Sequence, residues 1–217
     1  MKKISVVLSG CGNRDGAEIT EAVSLMIHLS KNGASVEYFA PNLTIQPVSH
    51  LTGEISKTEK RNVLIESARI TRGQSKDLAL LNSNDFDALI FVGGAGAAKT
   101  LSTWSSHGAS CEVLPEVQKV IESFYKNSKP IGAICISPVL LAKVLGEYKV
   151  KLTIGNDKDS IVEIQKTGAI HVECEVNDCV VDKGNKIVTT PAYMYDKRPD
   201  EIFEGIGKLA VEVLKLN

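Results

Sequence analysis

A cysteine at the end of an apolar run is the residue of this sequence best placed to do chemistry. The run ends at Cys135, and a helical pattern begins at Pro138, a residue that suits the first turn of a helix. The small residues Gly132 and Ser137 flank the cysteine, as a sharp strand-to-helix turn requires. This is the pattern of a nucleophile elbow, with the sulfur at a helix N-terminus that favours the thiolate. The alternative is a cysteine that is merely buried at a strand end.

Two glutamates at the start of the first predicted helix are candidate partners for that cysteine. Glu18 and Glu21 are three residues apart and so lie on neighbouring faces of the helix. Acidic residues favour helix N-termini, which would be a purely structural role. Glu21, however, stands between Ile19 and Ala22, close to the apolar stripe, and a carboxylate buried there needs a partner or a proton.

The elements that must position these residues alternate between buried strands and amphipathic helices. Strands are predicted at 4–8, 36–39, 87–92, the run before Cys135, 149–154, 170–175, 179–182 and 186–190. Helices are predicted at 17–32, 58–71, 115–127, after Cys135, 157–167 and 199–216. The first helix shows an apolar stripe of Ile19, Ala22, Val23, Met26, Ile27 and Leu29. The alternation predicts an α/β three-layer sandwich with a largely parallel sheet, over a single domain at 1–217.

Ligands of such folds bind at the carboxyl ends of the strands. The unusual residues at these predicted ends are Gly10, Cys11, Gly12, Gly93, Gly94, Cys135, Gly155 and Thr190. We therefore expect one site along this rim, with 101–114 as an insertion packed over the sheet end. The glycines at 10, 12 and 16 could also indicate a phosphate loop, but their spacing is not G-x-G-x-x-G and no Gly-Lys-Ser/Thr is present.

Composition narrows the classes of partner. The 217 residues are 43% hydrophobic with a net charge of −1, which argues against a nucleic-acid or anionic-membrane partner. No apolar run approaches the length of a membrane span. Five cysteines cannot all pair, and the N-terminal apolar run is too short for a secretion signal, so we expect a reduced cytoplasmic protein. No Cys-x-x-Cys occurs, and neither a metal nor a cofactor is expected.

Several stretches in combination resemble a known superfamily. They resemble the class I glutamine amidotransferase-like proteins, in the branch of the PfpI proteases and the Parkinsonism-associated deglycase, and within it the ElbB (enhancing lycopene biosynthesis) family. The stretches that carry the resemblance are 7–12, 15–22, 50–54, 61–64, 93–99, 133–138 and 188–194.

The resemblance implies a flavodoxin-like fold with Cys135 as the nucleophile. It implies that Glu21 hydrogen-bonds the sulfur, with Glu18 as the fallback, and that backbone N–H groups of Gly94 and Ile136 form an oxyanion hole. It further implies a homodimer and a glyoxalase activity on small 2-oxoaldehydes that needs neither glutathione nor metal. The remaining residues expected to line the site are Gly10, Cys11, Gly12, His50, Gly93 and Thr190.

The sequence departs from the superfamily at two places. Glutamine amidotransferases carry a His and a Glu after a late strand, where this chain reads Thr190-Pro191, which argues against glutamine hydrolysis. The deglycase relatives have a His where Gly155 stands here. His50, His107 or His171 could take the place of that histidine only if the loops fold so that one of them comes close to Cys135. Two other functions stay open: a redox or stress sensor that uses the same cysteine, with a link to isoprenoid biosynthesis, and an amidotransferase-like subunit that feeds a synthase.

Overall fold

The apolar run predicted as the first strand lies inside a seven-stranded sheet. The computed structural model describes residues 1–216. Its strands are β1 (Lys3–Val7), β2 (Ser35–Ala40), β3 (Thr44–Ile45), β4 (Arg61–Asn62), β5 (Ser75–Asp77), β6 (Ala88–Phe91), β7 (Ile131–Ile134), β8 (Lys151–Leu152), β9 (Ile170–His171), β10 (Val180–Asp182) and β11 (Ile187–Thr190). The order in the main sheet is β10-β11-β7-β6-β1-β2-β5.

Helices cover both faces of this sheet. They are α1 (Ile19–Lys31), α2 (Val63–Ile70), α3 (Ala95–Lys99), α4 (Trp104–His107), α5 (Pro115–Lys126), α6 (Pro138–Leu145), α7 (Lys158–Lys166) and α8 (Pro199–Lys215). Apolar residues of α1, α2 and α8 form one buried cluster with one face of the sheet, and those of α5 and α6 form a second cluster with the other face. Successive residues of β1 alternate between the clusters, Val6 in the first and Val7 in the second. The expected three-layer α/β sandwich is confirmed.

The direction of the strands brings several chain segments to one edge of the sheet. Every pair of neighbours in the main sheet is parallel except β10 with β11, as described over residues 1–216. In the parallel register Val7 lies beside Phe91, and Ile134 lies beside Thr190. The segments that follow these residues therefore leave the sheet at a common rim.

The buried face of α1 differs from the predicted stripe. Ala22 and Leu29 are buried as expected, but Ile19, Val23 and Ile27 are 48%, 41% and 42% exposed. The helix is rotated so that Glu21 and Leu25 point inward. The cause is the carboxylate: burying Glu21 next to its neighbours at the sheet edge turns the 19–23–27 row towards solvent.

The structure also differs from the predicted secondary structure at three places. The helix predicted at 58–71 begins only at Val63, because Asn62 caps it by accepting the N–H of Ile65 at 3.0 Å. The strands predicted at 149–154 and 170–175 shorten to β8 and β9, which pair with each other outside the main sheet. The polar edge strand β5 was not predicted, because its three residues carry no apolar alternation. Within the described chain, no helix has both the length and the apolarity to cross a membrane.

Candidate active site

Cys135 occupies a sharp turn between β7 and α6. Its backbone has φ +62°, a left-handed conformation that residues other than glycine rarely adopt. Its N–H donates to the carbonyl of Thr190 at 2.9 Å, which ties the turn to β11. The hydroxyl of Ser137 donates to the carbonyl of Val92 at 2.6 Å and holds the start of α6. The sulfur thus stands at the carboxyl edge of the sheet, as the sequence pattern predicted.

Glu21 reaches this turn from α1 and is fully buried. Its Oε1 accepts the backbone N–H of Tyr193 at 3.3 Å. Its Oε2 makes no hydrogen bond to any described nitrogen or oxygen. The Cys135 side chain lies next to this carboxyl: a β-carbon on Gly93 would stand 2.3 Å from Oε2 and 2.4 Å from the β-carbon of Cys135. The structure therefore brings the two residues together as a buried acid–thiol pair.

The electrostatics of this pair favour a proton on the carboxyl. Burial, together with the charge of Glu18, raises the pKa of Glu21 to about 8. Burial and the charge of an ionised Glu21 raise the pKa of the Cys135 thiol, whereas the N–H groups of Gly94 and Ile136 lower it. A proton on Glu21 removes that charge and lets the carboxyl donate to the sulfur. The protonated carboxyl thus lowers the pKa of the thiol relative to an ionised carboxyl, and it acts against burial, the largest cause that raises this pKa.

Two backbone N–H groups face the sulfur, those of Gly94 and Ile136. Gly94 has φ +96° and lies so close to the start of α1 that a β-carbon would stand 2.5 Å from the nitrogen of Glu18. The neighbouring Ala95 donates its N–H to the carbonyl of Asn13 at 2.8 Å. The donor at Gly94 is therefore held in place by the loop that precedes α1, in the position expected of an oxyanion-hole donor.

A cleft of about 1140 Å³ opens above the pair. Cys135, Gly94, Ile136 and Glu18 line its inner part. The outer part is lined by residues that the sequence did not assign to the site: Asn13, Lys99, Trp104, His107, Asp159, Glu163, Tyr193, Tyr195 and Asp196. The 101–114 insertion does lie over the sheet end, and its Trp and His were the signal that it contributes to a site.

The glycine turn after β1 lies beside the cleft and faces away from it. The N–H of Gly10 donates to the hydroxyl of Ser67 on α2 at 2.9 Å. Cys11 is half-buried beside the charges of Glu66 and Arg69, and burial raises the pKa of its thiol. Gly10, Cys11 and Gly12, which were expected to line the site, are not among the residues that line the cleft. They shape the loop that carries Asn13.

Three further expected lining residues, His50, Gly93 and Thr190, are also not among the residues that line the cleft. His50 packs its ring on Gly12 and accepts the N–H of Arg14 at 3.3 Å. Thr190 supports Cys135 through its carbonyl, while its hydroxyl donates to the carbonyl of Asp178 at 2.7 Å. His50 therefore supports the loop that precedes α1, and Thr190 supports the turn at Cys135.

The place where the deglycase relatives have a histidine is closed in this chain. Gly155 has φ +78°, and a β-carbon there would stand 2.7 Å from the ring of Tyr195 and 3.2 Å from Pro191. The hydroxyl of Tyr195 donates to the carbonyl of Cys174 at 2.9 Å, which fixes the ring. Of the four histidines, His107 lines the cleft. Within residues 1–216 no group of three His, Cys, Asp or Glu side chains has the arrangement of a metal site.

Solved structures share this fold. The chain superposes on an isoprenoid biosynthesis protein with an amidotransferase-like domain from Ehrlichia chaffeensis with a TM-score of 0.92 and 38% identity, over 100% of this chain and 99% of that one. It also matches glyoxalase III from Candida albicans with a TM-score of 0.64 over 99% of this chain and 97% of that one. At 16% identity this second likeness shows a shared fold.

Sequence comparison identifies the family. The chain is 44% identical to the human glutamine amidotransferase-like class 1 domain-containing protein 3, mitochondrial, over 224 residues that cover 99% of this chain and 83% of that protein. It is 43% identical to the mitochondrial ES1 protein homolog of Rattus norvegicus, with 99% and 84% covered. The family model described as DJ-1/PfpI matches residues 11–196. The chain therefore belongs to the DJ-1/PfpI family of the class I glutamine amidotransferase-like superfamily.

Proposed function

We propose that this protein is a glutathione-independent glyoxalase, a lyase that converts small 2-oxoaldehydes such as glyoxal or methylglyoxal to hydroxy acids. Cys135 is the nucleophile and Glu21 the acid and base. One observation carries the proposal: the fully buried Glu21 carboxyl, with Oε2 unpartnered by nitrogen or oxygen, faces the sulfur of Cys135. A carboxyl whose pKa lies near the working pH can both donate and accept a proton.

The first step forms a carbon–sulfur bond. The Cys135 thiolate adds to the aldehyde carbon, and the aldehyde oxygen takes the proton of Glu21, which gives a hemithioacetal. The N–H groups of Gly94 and Ile136 stabilise the negative charge that develops on this oxygen. A donor of this kind typically contributes about 3 kcal/mol to transition-state stabilisation.

The second step is an internal redox isomerisation that needs no cofactor. Ionised Glu21 removes the proton from the former aldehyde carbon, which gives an enediolate whose charge lies on the former ketone oxygen. It returns that proton to the neighbouring carbon, while the hydroxyl proton moves between the two oxygens. The product is a thioester of a 2-hydroxy acid. Water then attacks the thioester carbon, Glu21 takes the proton of the water, and the sulfur leaves as the thiolate.

Two features besides the contact between Glu21 and Cys135 support the proposal. The strained backbone of Cys135, with φ +62°, is typical of nucleophile turns. A glyoxalase III shares the fold, and this likeness is what suggests the substrate class. We place the chain in the ElbB group of the family, which the similarity to the isoprenoid biosynthesis protein of Ehrlichia chaffeensis supports.

The test is turnover of methylglyoxal by purified protein without added glutathione. We expect a 2-hydroxy acid as the product, and loss of this activity in Cys135→Ser with the fold retained. Cys174→Ser is the matched control, because Cys174 is a free, half-buried thiol away from the cleft. Wild-type turnover by Cys135→Ser would show that another group is the nucleophile.

The same purified protein distinguishes the glyoxalase from the alternative function, a redox or stress sensor. A sensor would consume no aldehyde, and its Cys135 would be oxidised stoichiometrically by hydrogen peroxide to the sulfinate, with Glu21 as the hydrogen-bond partner. Mass spectrometry of the peroxide-treated protein measures this oxidation. Oxidation without any turnover of glyoxal or methylglyoxal would replace the glyoxalase proposal with the sensor.

A further inference from the structure

Two cysteines that the proposed reaction does not use stand on either side of one tight turn. The N–H of Asp178 donates to the carbonyl of Glu175 at 3.0 Å, which closes a β-turn. Cys174 precedes this turn and Cys179 follows it, and both are free, half-buried thiols. Residues that face each other across a chain reversal have Cα atoms about 4.5–5.5 Å apart, within the range of about 4.4–6.8 Å that a disulfide spans.

The backbone on both sides of this turn is fixed by its neighbours. The buried Val176 packs its carbonyl on Gly205 of α8, where a β-carbon would overlap the carbonyl oxygen. The hydroxyl of Thr190 on β11 donates to the carbonyl of Asp178 at 2.7 Å. The sheet and α8 therefore hold the turn in the conformation that places the two cysteines opposite each other.

The two thiols also share one electrostatic environment. Burial raises the pKa of Cys174 to about 11 and that of Cys179 to about 12, and the charge of Asp178 raises both further. Cys174 itself contributes to the raised pKa of Cys179, and Lys208 of α8 lowers the pKa of both thiols. Nζ of Lys208 pairs with Oδ1 of Asp178 at 3.3 Å. Both sulfurs thus lie on the side of the turn that faces α8.

We infer that Cys174 and Cys179 are a site of oxidative modification, at which a small-molecule disulfide such as oxidised glutathione converts the two thiols to an intrachain disulfide. The thiolate of Cys174 attacks one sulfur of oxidised glutathione, which forms a mixed disulfide and releases one glutathione. The thiolate of Cys179 then attacks the sulfur of Cys174 and releases the second glutathione. The two cysteines lose two electrons and two protons, and the oxidant takes up both as two thiols.

The raised pKa of both thiols determines how this disulfide behaves. The thiolate fraction is small at neutral pH, so the disulfide forms slowly. The same two thiolates are poor leaving groups, so the disulfide is also broken slowly by an attacking thiol. The reaction at this turn is therefore a slow and lasting modification, distinct from a fast oxidation at Cys135.

The turn is connected to the cleft through one hydrogen bond. The carbonyl of Cys174 accepts the hydroxyl of Tyr195 at 2.9 Å, and Tyr195 lines the cleft. A disulfide at Cys174 restrains the backbone that carries this carbonyl. Oxidation at the turn therefore also restrains one wall of the cleft.

The test treats the full chain with oxidised glutathione at pH 7, 8 and 9, followed by alkylation, trypsin and mass spectrometry without reduction. The peptide 167–183 carries both cysteines. We expect it to lose two hydrogens and to resist alkylation, at a rate that increases roughly tenfold for each pH unit. In Cys174→Ser and in Cys179→Ser the remaining thiol should stop at a mixed disulfide with one glutathione. Cys111→Ser, which changes a buried cysteine of the 101–114 insertion, should keep the wild-type rate.

Two outcomes of this experiment overturn the disulfide. One is a wild-type peptide that carries a glutathione on each of the two cysteines, which would show that the sulfurs do not reach each other. The other is a peptide that is unmodified even at pH 9. Amide hydrogen exchange tests the connection to the cleft: oxidation should slow exchange at Tyr195 in the wild type and leave it unchanged in Cys179→Ser. Equal exchange at Tyr195 before and after oxidation of the wild type would refute that connection.

Discussion

Gly93 leaves the space that the carboxyl of Glu21 occupies. A β-carbon at position 93 would overlap Oε2 of Glu21 and also the β-carbon of Cys135. The backbone of residue 93 is anchored as well, because its carbonyl accepts the N–H of Glu18 at 3.0 Å. Neither side can move away easily, so the contact between acid and thiol depends on the absence of one side chain.

Gly93→Ala should therefore separate the pair. We expect turnover of methylglyoxal to fall at least ~100-fold, because proton transfer by a positioned group is commonly worth that much. Gly184→Ala is the control, since a β-carbon there meets nothing closer than 3.5 Å. A Gly93→Ala enzyme that keeps wild-type kcat while its circular dichroism is unchanged would show that Glu21 does not act through this contact.

Glu21→Gln tests the proton transfer itself. The amide still donates a hydrogen bond to sulfur, so we expect fast alkylation of Cys135 by iodoacetamide to persist. The amide cannot take and return a proton, so turnover should fall about 100-fold or more. Glu18→Gln should do far less, because the Glu18 side chain caps α1 by accepting the N–H of Glu21 at 2.7 Å, and the amide oxygen can accept the same bond. Loss of turnover in Glu18→Gln alone would assign the acid to residue 18.

The raised pKa of Glu21 also predicts how stability changes with pH. The folded protein keeps this proton up to about pH 8, whereas the unfolded chain releases it near the ordinary value of 4.5. Glu21 therefore contributes most stability below pH 4.5, and this contribution is lost as the pH rises towards 8. Glutamine has no such proton. The free energy of unfolding of Glu21→Gln should thus increase relative to that of the wild type as the pH rises from 5 to 8, by on the order of a few kcal/mol.

Urea denaturation of both proteins at pH 5, 6.5 and 8 measures this difference. Glu204→Gln, which changes an exposed carboxylate, should show a constant offset from the wild type over the same range. A constant offset for Glu21→Gln as well would mean that Glu21 releases its proton at the same pH in the folded and unfolded chains.

The exposed apolar side chains on α1 offer a surface for dimerisation. Ile19, Val23 and Ile27 lie one turn apart on the solvent side. We propose a homodimer in which two α1 helices cross antiparallel at Val23, which sets Ile19 against Ile27 of the partner. Val23→Lys should yield monomers by sedimentation velocity, whereas Ile65→Lys on the exposed side of α2 should not. A monomeric wild type would refute this arrangement.

The sequence was sufficient for the features whose signals are local. The turn at Cys135 could be predicted because small residues and a proline follow an apolar run. Glu21 could be singled out because a charge between apolar neighbours is unusual. The rotation of α1 could not be read in the same way: the apolar stripe and the inward carboxylate compete for one face, and only the distant Cys135 decides between them.

The residues that line the outer part of the cleft could not be predicted from the sequence for a different reason. Trp104, Asp159 and Asp196 come from three separate loops and helices, and none of them has a neighbour in the sequence that indicates the others. Their proximity depends on long-range contacts such as that between Ala109 and Glu163. The glycine turn at 10–12 carries a strong local signal, yet its hydrogen bond to Ser67 orients it towards α2.

The packing around Gly155 also limits how this protein could evolve. A histidine at position 155 needs a left-handed backbone to accept a β-carbon and needs space that the ring of Tyr195 fills. Replacing Tyr195 first would break its bond to Cys174 before any histidine compensates. A histidine at position 155 thus requires a second substitution, at Tyr195.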